Sequence, residues 1–243
     1  MSIDYLVRLE QGRDTNPSAA VLFALSEALR LTPTERHHLA GLVAQSNSAD
    51  FCPGGSVAVP TAPATIVALV EQLHPTPAVV VGPYGDLLAW NPAWEALAAP
   101  MGLLEGTTPN LARFTFLHPA APEVFVEWEA QADEQASLLR GAALRWRDDE
   151  RFVALLTELQ QVPAFETRWS AHQVTQKRRG TKSLRHPELG LLHIDHEAMV
   201  LSDEAGQQIL AWLPADGATA AAVERAAGAA LVSPAQLRVV GEA

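Results

Sequence analysis

"PAVVVGPYGDLLAWN", from Pro77 to Asn91, constrains the fold more than any other stretch of the chain. Two apolar runs flank Gly-Pro-Tyr-Gly-Asp, so the segment reads as a β-hairpin. An isolated hairpin is marginal in water, so further strands must complete a sheet. They come about a hundred residues later. "KSLRHPELGLLHIDHEAMVL" (Lys182–Leu201) reads as two strands turning at Pro187 to Gly190, and "QQILAWLP" (Gln207–Pro214) as another. Between the two groups, Pro109 to Val174 has helical periodicity, broken near Pro119, Pro122, Asp148 and Pro163. Within it Val124, Trp128, Ala132, Ala136, Leu139, Ala143 and Trp146 step by three or four. Asn91-Pro92 caps a helix through Leu97, "TIVALVEQLH" is a short helix, and the Ala-rich end from Ala218 is helical. Two strands, a helical insertion and three strands predict an α+β fold, an antiparallel sheet with helices packed on one side.

The region before this is different. Ser2 to Glu10 has helical spacing with Ile3, Leu6, Val7 and Leu9 apolar, Ser2 as N-cap and Gly12 as a left-handed stop. Pro17 opens a second helix, with Val21, Leu22, Leu25, Ala28 and Leu29 on one stripe. A third begins at Thr32, Pro33 and Glu35, a capping box, and buries Leu39, Leu42 and Val43. From Gln45 to Pro63 the composition turns to Ser, Gly and Pro. The expected division is a helical domain at 1–45, a linker at 46–62 and an α+β domain at 63–243.

Composition narrows the function. The chain has 243 residues and is 48% hydrophobic, enough for a real core. Its formal net charge is −11, which argues against indiscriminate nucleic-acid binding. Cys52 is the single cysteine, so an intramolecular disulfide is impossible; it falls in the linker and reads as incidental. No signal-peptide pattern or apolar run long enough to span a bilayer is present, and a cytoplasmic protein without membrane contact is expected.

"RLEQGR" followed by Pro-Ser and an amphipathic helix resembles the phage-repressor-like (Xre-type) helix-turn-helix. "LLAWN", "NLARFTFLHP", "LLR", "FETRWSAHQV" and "KSLRHPELGLLHID" follow in order, and together they resemble the MmyB-like transcription regulators. The resemblance covers nearly the whole chain. It implies a one-component regulator whose second domain is a PAS-like fold with a pocket for small, largely apolar or amphipathic ligands such as fatty acids. Ligand binding would shift the geometry of a DNA-binding dimer. The family has two further helices before Ser2, and Met1 stands where members commonly have valine. The expectation is a start assigned too far downstream, or a natural truncation.

In the recognition helix, Ser2, Asp4, Tyr5 and Arg8 would face double-stranded DNA near the N-terminal end, and Arg8 and Arg13 could reach phosphate or guanine. Residues 1–45 carry four basic and five acidic side chains, a local charge of −1, which is poor for phosphate binding. The alternative is therefore a ligand- or partner-binding protein that does not bind DNA as written. The basic cluster Lys177, Arg178, Arg179, Lys182 and Arg185 reads as a solvated loop rather than a second DNA contact. "HIDH" invites a metal reading, but a strand places His193 and Asp195 on one face and His196 on the other, so no site forms. No hydrolase, phosphate-loop or zinc-protease motif is present, no cofactor is implied, and a non-enzyme is expected. The ligand pocket is expected among Leu88 and Trp90, alternating on one strand face, and Trp128, Phe165, Trp169 and His172 on helices. Arg140, flanking the long stripe, is the first choice to hold a carboxylate head, and His172 the second. Core packing would explain the tryptophans equally well.

Overall fold

A computed structural model describes residues 3–14, 17–32, 35–36, 39–43, 61–171, 179–201, 206–232 and 238–239. Ser2, Pro33, Cys52, His172, Lys177, Arg178 and most of the expected linker lie outside the described residues.

The N-terminal helices are α1 (Ile3–Glu10), stopped at Gly12 with φ +66°, and α2 (Ala19–Ala28), followed by helical turns at 35–36 and 39–43. The capping box is present: the Thr32 N–H donates to Glu35 Oε2 at 2.7 Å, and the Glu35 N–H to Thr32 Oγ1 at 3.3 Å. Ser18, not Pro17, is the N-cap of α2, so the proline precedes the helix. The expected stripes are only partly covered. Leu25 is buried, but Leu29 is 64% and Leu42 46% exposed, because the few apolar side chains here cannot enclose one another.

The α+β region opens with α3 (Ala64–Gln72) and the hairpin β1 (Ala78–Val81) and β2 (Leu87–Trp90). Its turn uses Gly85 at φ +99°, with the Gly82 N–H donating to the Asp86 carbonyl at 2.8 Å. Next come α4 (Pro92–Ala98), α5 (Leu111–Leu117), α6 (Ala121–Val124), α7 (Trp128–Trp146), α8 (Glu150–Leu159) and α9 (Pro163–Ser170). Pro122 starts α6 rather than breaking a helix, and Val124 belongs to α6, so the long stripe is continuous only from Trp128. Strands β3 (Arg179–His186), β4 (Gly190–Val200) and β5 (Gln208–Pro214) follow, then α10 (Gly217–Val232) and a two-residue β6 (Arg238–Val239). The sheet order is β3-β4-β5-β1-β2-β6 with antiparallel neighbours throughout.

The mixed α+β class is the one the sequence implies. On one face, Val79, Val81, Leu87 and Trp90 join Leu184, Leu192, Ile194 and Trp212 beneath α4 and α10, where Trp94 meets Trp212 at 4.2 Å between ring centroids. On the other, Ala78, Val80, Leu88, Ala89 and Ile209 pack against α3. The hairpin thus has helices on both sides, which explains why all eight of its strand residues are buried. A second core lies under α7, α8 and α9, where Ala132, Ala136 and Ala142 leave room for Phe116, Phe152 and Phe165.

Candidate ligand pocket

The residues expected to line one pocket are spread over three packed regions. The register of β1 against β2 slips between Val80 and Val81, so Leu87 rather than Leu88 pairs with Val81. This bulge turns Leu88 to the α3 side while Trp90 stays on the other, so the expected shared face is lost. Phe165 is fully buried in the helical core, edge-on to Phe116 and stacked on Trp169 at 5.5 Å. Trp128 bridges the two larger cores; its Nε1 donates to the Thr115 carbonyl at 2.9 Å, and Arg168 covers its ring. Arg140 lies 4.5 Å over the Trp169 ring and donates Nη2–H to the Trp169 carbonyl. Burial lowers its pKa, and it ties α9 to α7. In α1, Asp4 and Arg8 are exposed and Tyr5 is half-buried under the Arg8 guanidinium; Arg13 is exposed beyond the helix.

A partly open cavity of about 100 Å³ lies elsewhere, between α7 and strands β3 to β5. Gln131, Glu134, Gln135 and Leu138 face it from α7 at helical spacing. Lys182, His196, Ala198, Val200, Gln208, Leu210 and Trp212 face it from the sheet, and Leu103, Leu111 and Phe125 complete its apolar wall. Gly180 pairs across from His196, and a Cβ there would lie 3.3 Å from the imidazole, so the glycine makes room for the ring.

Its polar side is built around Lys182. The ammonium donates to Gln131 Oε1 at 2.7 Å and sits 3.1 and 3.0 Å from the two Glu134 carboxylate oxygens. His196 Nε2 lies 4.0 Å from the same carboxylate. The Lys182, Glu134 and His196 side chains are only 20%, 13% and 5% exposed. Removing one partner of such a pair leaves a charge in low dielectric and costs about 3–5 kcal/mol. Apolar walls with converging hydrogen-bonding groups suit an amphipathic small molecule. A larger, more open cleft of about 370 Å³ is lined by Glu105, Arg113, His118 and Glu158 together with Leu103, Phe114 and Leu117. Among the described residues no group of His, Cys, Asp and Glu could hold a metal ion. Asp195 bonds Thr181 and His193 approaches Ser183 on the face away from the cavity, as the strand alternation in "HIDH" requires.

In the sequence Lys182 reads as part of a solvated basic cluster and His196 as one end of "HIDH", and Gln131 and Glu134 carry no signal. One signal was available. Lys182, Leu184 and His186 alternate along one strand, so a lysine shares a face with two residues that turn out to be buried. Which helix covers that face could not be read from periodicity.

Among the described residues no helix is long and apolar enough to cross a membrane. No curated protein matches the chain. The model of the MmyB-like transcription regulator ligand binding domain matches residues 62–226, more than half of the sequence. This span contains strands β1 to β5, α7 and the cavity between them, and the chain belongs to the MmyB-like transcription regulator family through that ligand-binding domain.

Proposed function

We propose that the protein is a cytoplasmic one-component transcription regulator, not an enzyme, in which the α7–sheet cavity takes a small amphipathic ligand with an acyl chain. The observation that carries this reading is the cavity itself: an apolar wall ending in Lys182, Glu134, Gln131 and His196, inside a ligand-binding domain. Each buried methylene contributes roughly 0.8 kcal/mol, and the polar cluster would fix the head group. A volume near 100 Å³ holds about three waters, so the head and first carbons fit and a longer chain must part the walls.

Sequence-specific DNA binding would come from α1, with Asp4, Tyr5 and Arg8 near the groove, and ligand binding would alter the geometry of a dimer. Support for coupling comes from Leu144 near the end of α7: its Cδ1 is 3.1 Å from where a Cβ on Gly41 would lie. A second reading, a ligand-binding protein that does not engage DNA, is favoured by the −1 charge of residues 1–45.

Native mass spectrometry of the purified protein, followed by titration with saturated fatty acids of four to sixteen carbons, tests the ligand. Binding that disappears in the cavity-filling variant Leu210→Trp is expected; equal binding by wild type and variant would move the site elsewhere. Fluorescence anisotropy with DNA from the gene's own upstream region separates the two readings.

A further inference from the structure

The pocket is electrically complete before anything binds. An ammonium has three N–H donors, and Lys182 has at least three acceptors around it: Gln131 Oε1 and both oxygens of Glu134. The lysine and glutamate charges cancel. An incoming ligand with a neutral head finds the ammonium occupied and must hydrogen-bond around it. A ligand with a carboxylate head would set a second anion beside Glu134 in a mostly buried site, which like-charge repulsion and desolvation oppose. Exchanging one carboxylate for the other leaves the buried charge unchanged.

On this basis, and resting on the reading of the cavity as the ligand site, we infer that Glu134 is an internal stand-in for the acid group of an anionic ligand. The ligand's carboxylate takes Lys182, and Glu134 turns out to water. Glu134 is the anionic member of the cluster, and its side chain keeps some contact with solvent where Gln131 and Gln135 are buried, so a change of rotamer can carry its carboxylate outward. Lys182, itself 20% exposed, is anchored on β3 by the pairing with β4.

The exchange has a mechanical consequence. Lys182 joins β3 to the first turns of α7, and the swap removes the charged half of that tie. About 15 Å further along the same helix, at a rise of 1.5 Å per residue, Leu144 lies against Gly41. A head group arriving at Lys182 thus acts on the helix that touches the N-terminal unit, and an acid is distinguished from the alcohol of equal length by what it expels.

The experiment titrates the full chain with sodium octanoate and with octan-1-ol, for wild type, Glu134→Gln and the double variant Glu134→Gln/Lys182→Met. Hydrogen exchange of α7 is followed in the wild type with each ligand. Removing the stand-in should tighten octanoate binding about tenfold or more, the scale of one charge-assisted hydrogen bond. Octanol affinity should change by less than about twofold. The double variant, neutral and without an orphaned charge, should lose the octanoate gain. In the wild type octanoate, not octanol, should raise exchange at Gln131–Leu138. If octanol binds but Glu134→Gln leaves octanoate affinity unchanged, or octanoate leaves α7 exchange unaltered, the displacement is wrong and the pocket stands. If neither compound binds any of the three proteins, the pocket reading falls and the displacement with it.

Discussion

Replacing Asn91 with alanine should destabilise the ligand-binding domain by about 4 kcal/mol. Its side chain is fully buried and uses both ends. Oδ1 accepts from the Trp94 N–H at 2.9 Å, capping α4, and from the Ala78 N–H at 3.2 Å. Nδ2 donates to the Thr76 carbonyl at 2.8 Å and the Val70 carbonyl at 3.1 Å. One carboxamide therefore joins the end of α3, the start of β1 and the start of α4. Loss of the cap costs about 1 kcal/mol, and leaving the Ala78 N–H and the Thr76 carbonyl unpaired about 1.5 kcal/mol each, while the Val70 carbonyl keeps the Leu73 N–H at 3.3 Å. The sum is a large part of the 5–15 kcal/mol that holds a typical domain. In urea unfolding followed by tryptophan fluorescence, the midpoint should fall by about 2 M with an unchanged slope, taking a slope of about 2 kcal/mol per M. Octanoate affinity should also fall, because Trp94 on α4 packs at a tilt against Trp212 in the pocket wall. A loss below about 1 kcal/mol would show that the four groups find other partners and that Asn91 is not the junction described.

Arg140→Ala should cost about 2 kcal/mol, from one charge-assisted hydrogen bond and one cation–π contact, and raise hydrogen exchange in α9 while octanoate affinity stays unchanged; a large loss of affinity would return the arginine to the binding site. His186 gives a pH dependence. Burial holds its ring below its ordinary value of 6.5, against the opposing pull of Glu188 and the Leu97 and Ala96 carbonyls. The unfolded chain therefore takes up the proton first, so this contribution is complete above about pH 6.5 and is lost as pH falls below it. Melting curves from pH 7.5 to 5.5 should show a steeper decline for wild type than for His186→Gln, and parallel declines would refute the assignment.

The elements were legible because their signals are local. Gly-Pro-Tyr-Gly-Asp between apolar runs fixes the hairpin, Asn91-Pro92 caps α4, and Pro187 to Gly190 turns β3 into β4 with Gly190 at φ +78°. The α7–sheet cavity was not legible, for two physical reasons. The bulge in β2 inverts strand alternation at Leu88, and one inserted residue is invisible to a period-two argument. Aromatic side chains were also expected to mark the pocket, whereas Phe165 and Trp169 are consumed in packing the helical core. The cavity is marked instead by buried polar residues, Lys182, Glu134 and Gln131, which come together only when α7 crosses β3. Nothing in the local sequence encodes that crossing.

Photo-crosslinking with a diazirine derivative of octanoate, mapped by peptide mass spectrometry on the wild-type protein, tests the central claim most directly. The α7–sheet cavity predicts adducts on Leu103, Leu111, Phe125, Leu138 and Leu210, suppressed by excess octanoate. Adducts concentrated around Phe165 and Trp169 beside Arg140, or none that octanoate suppresses, would contradict it.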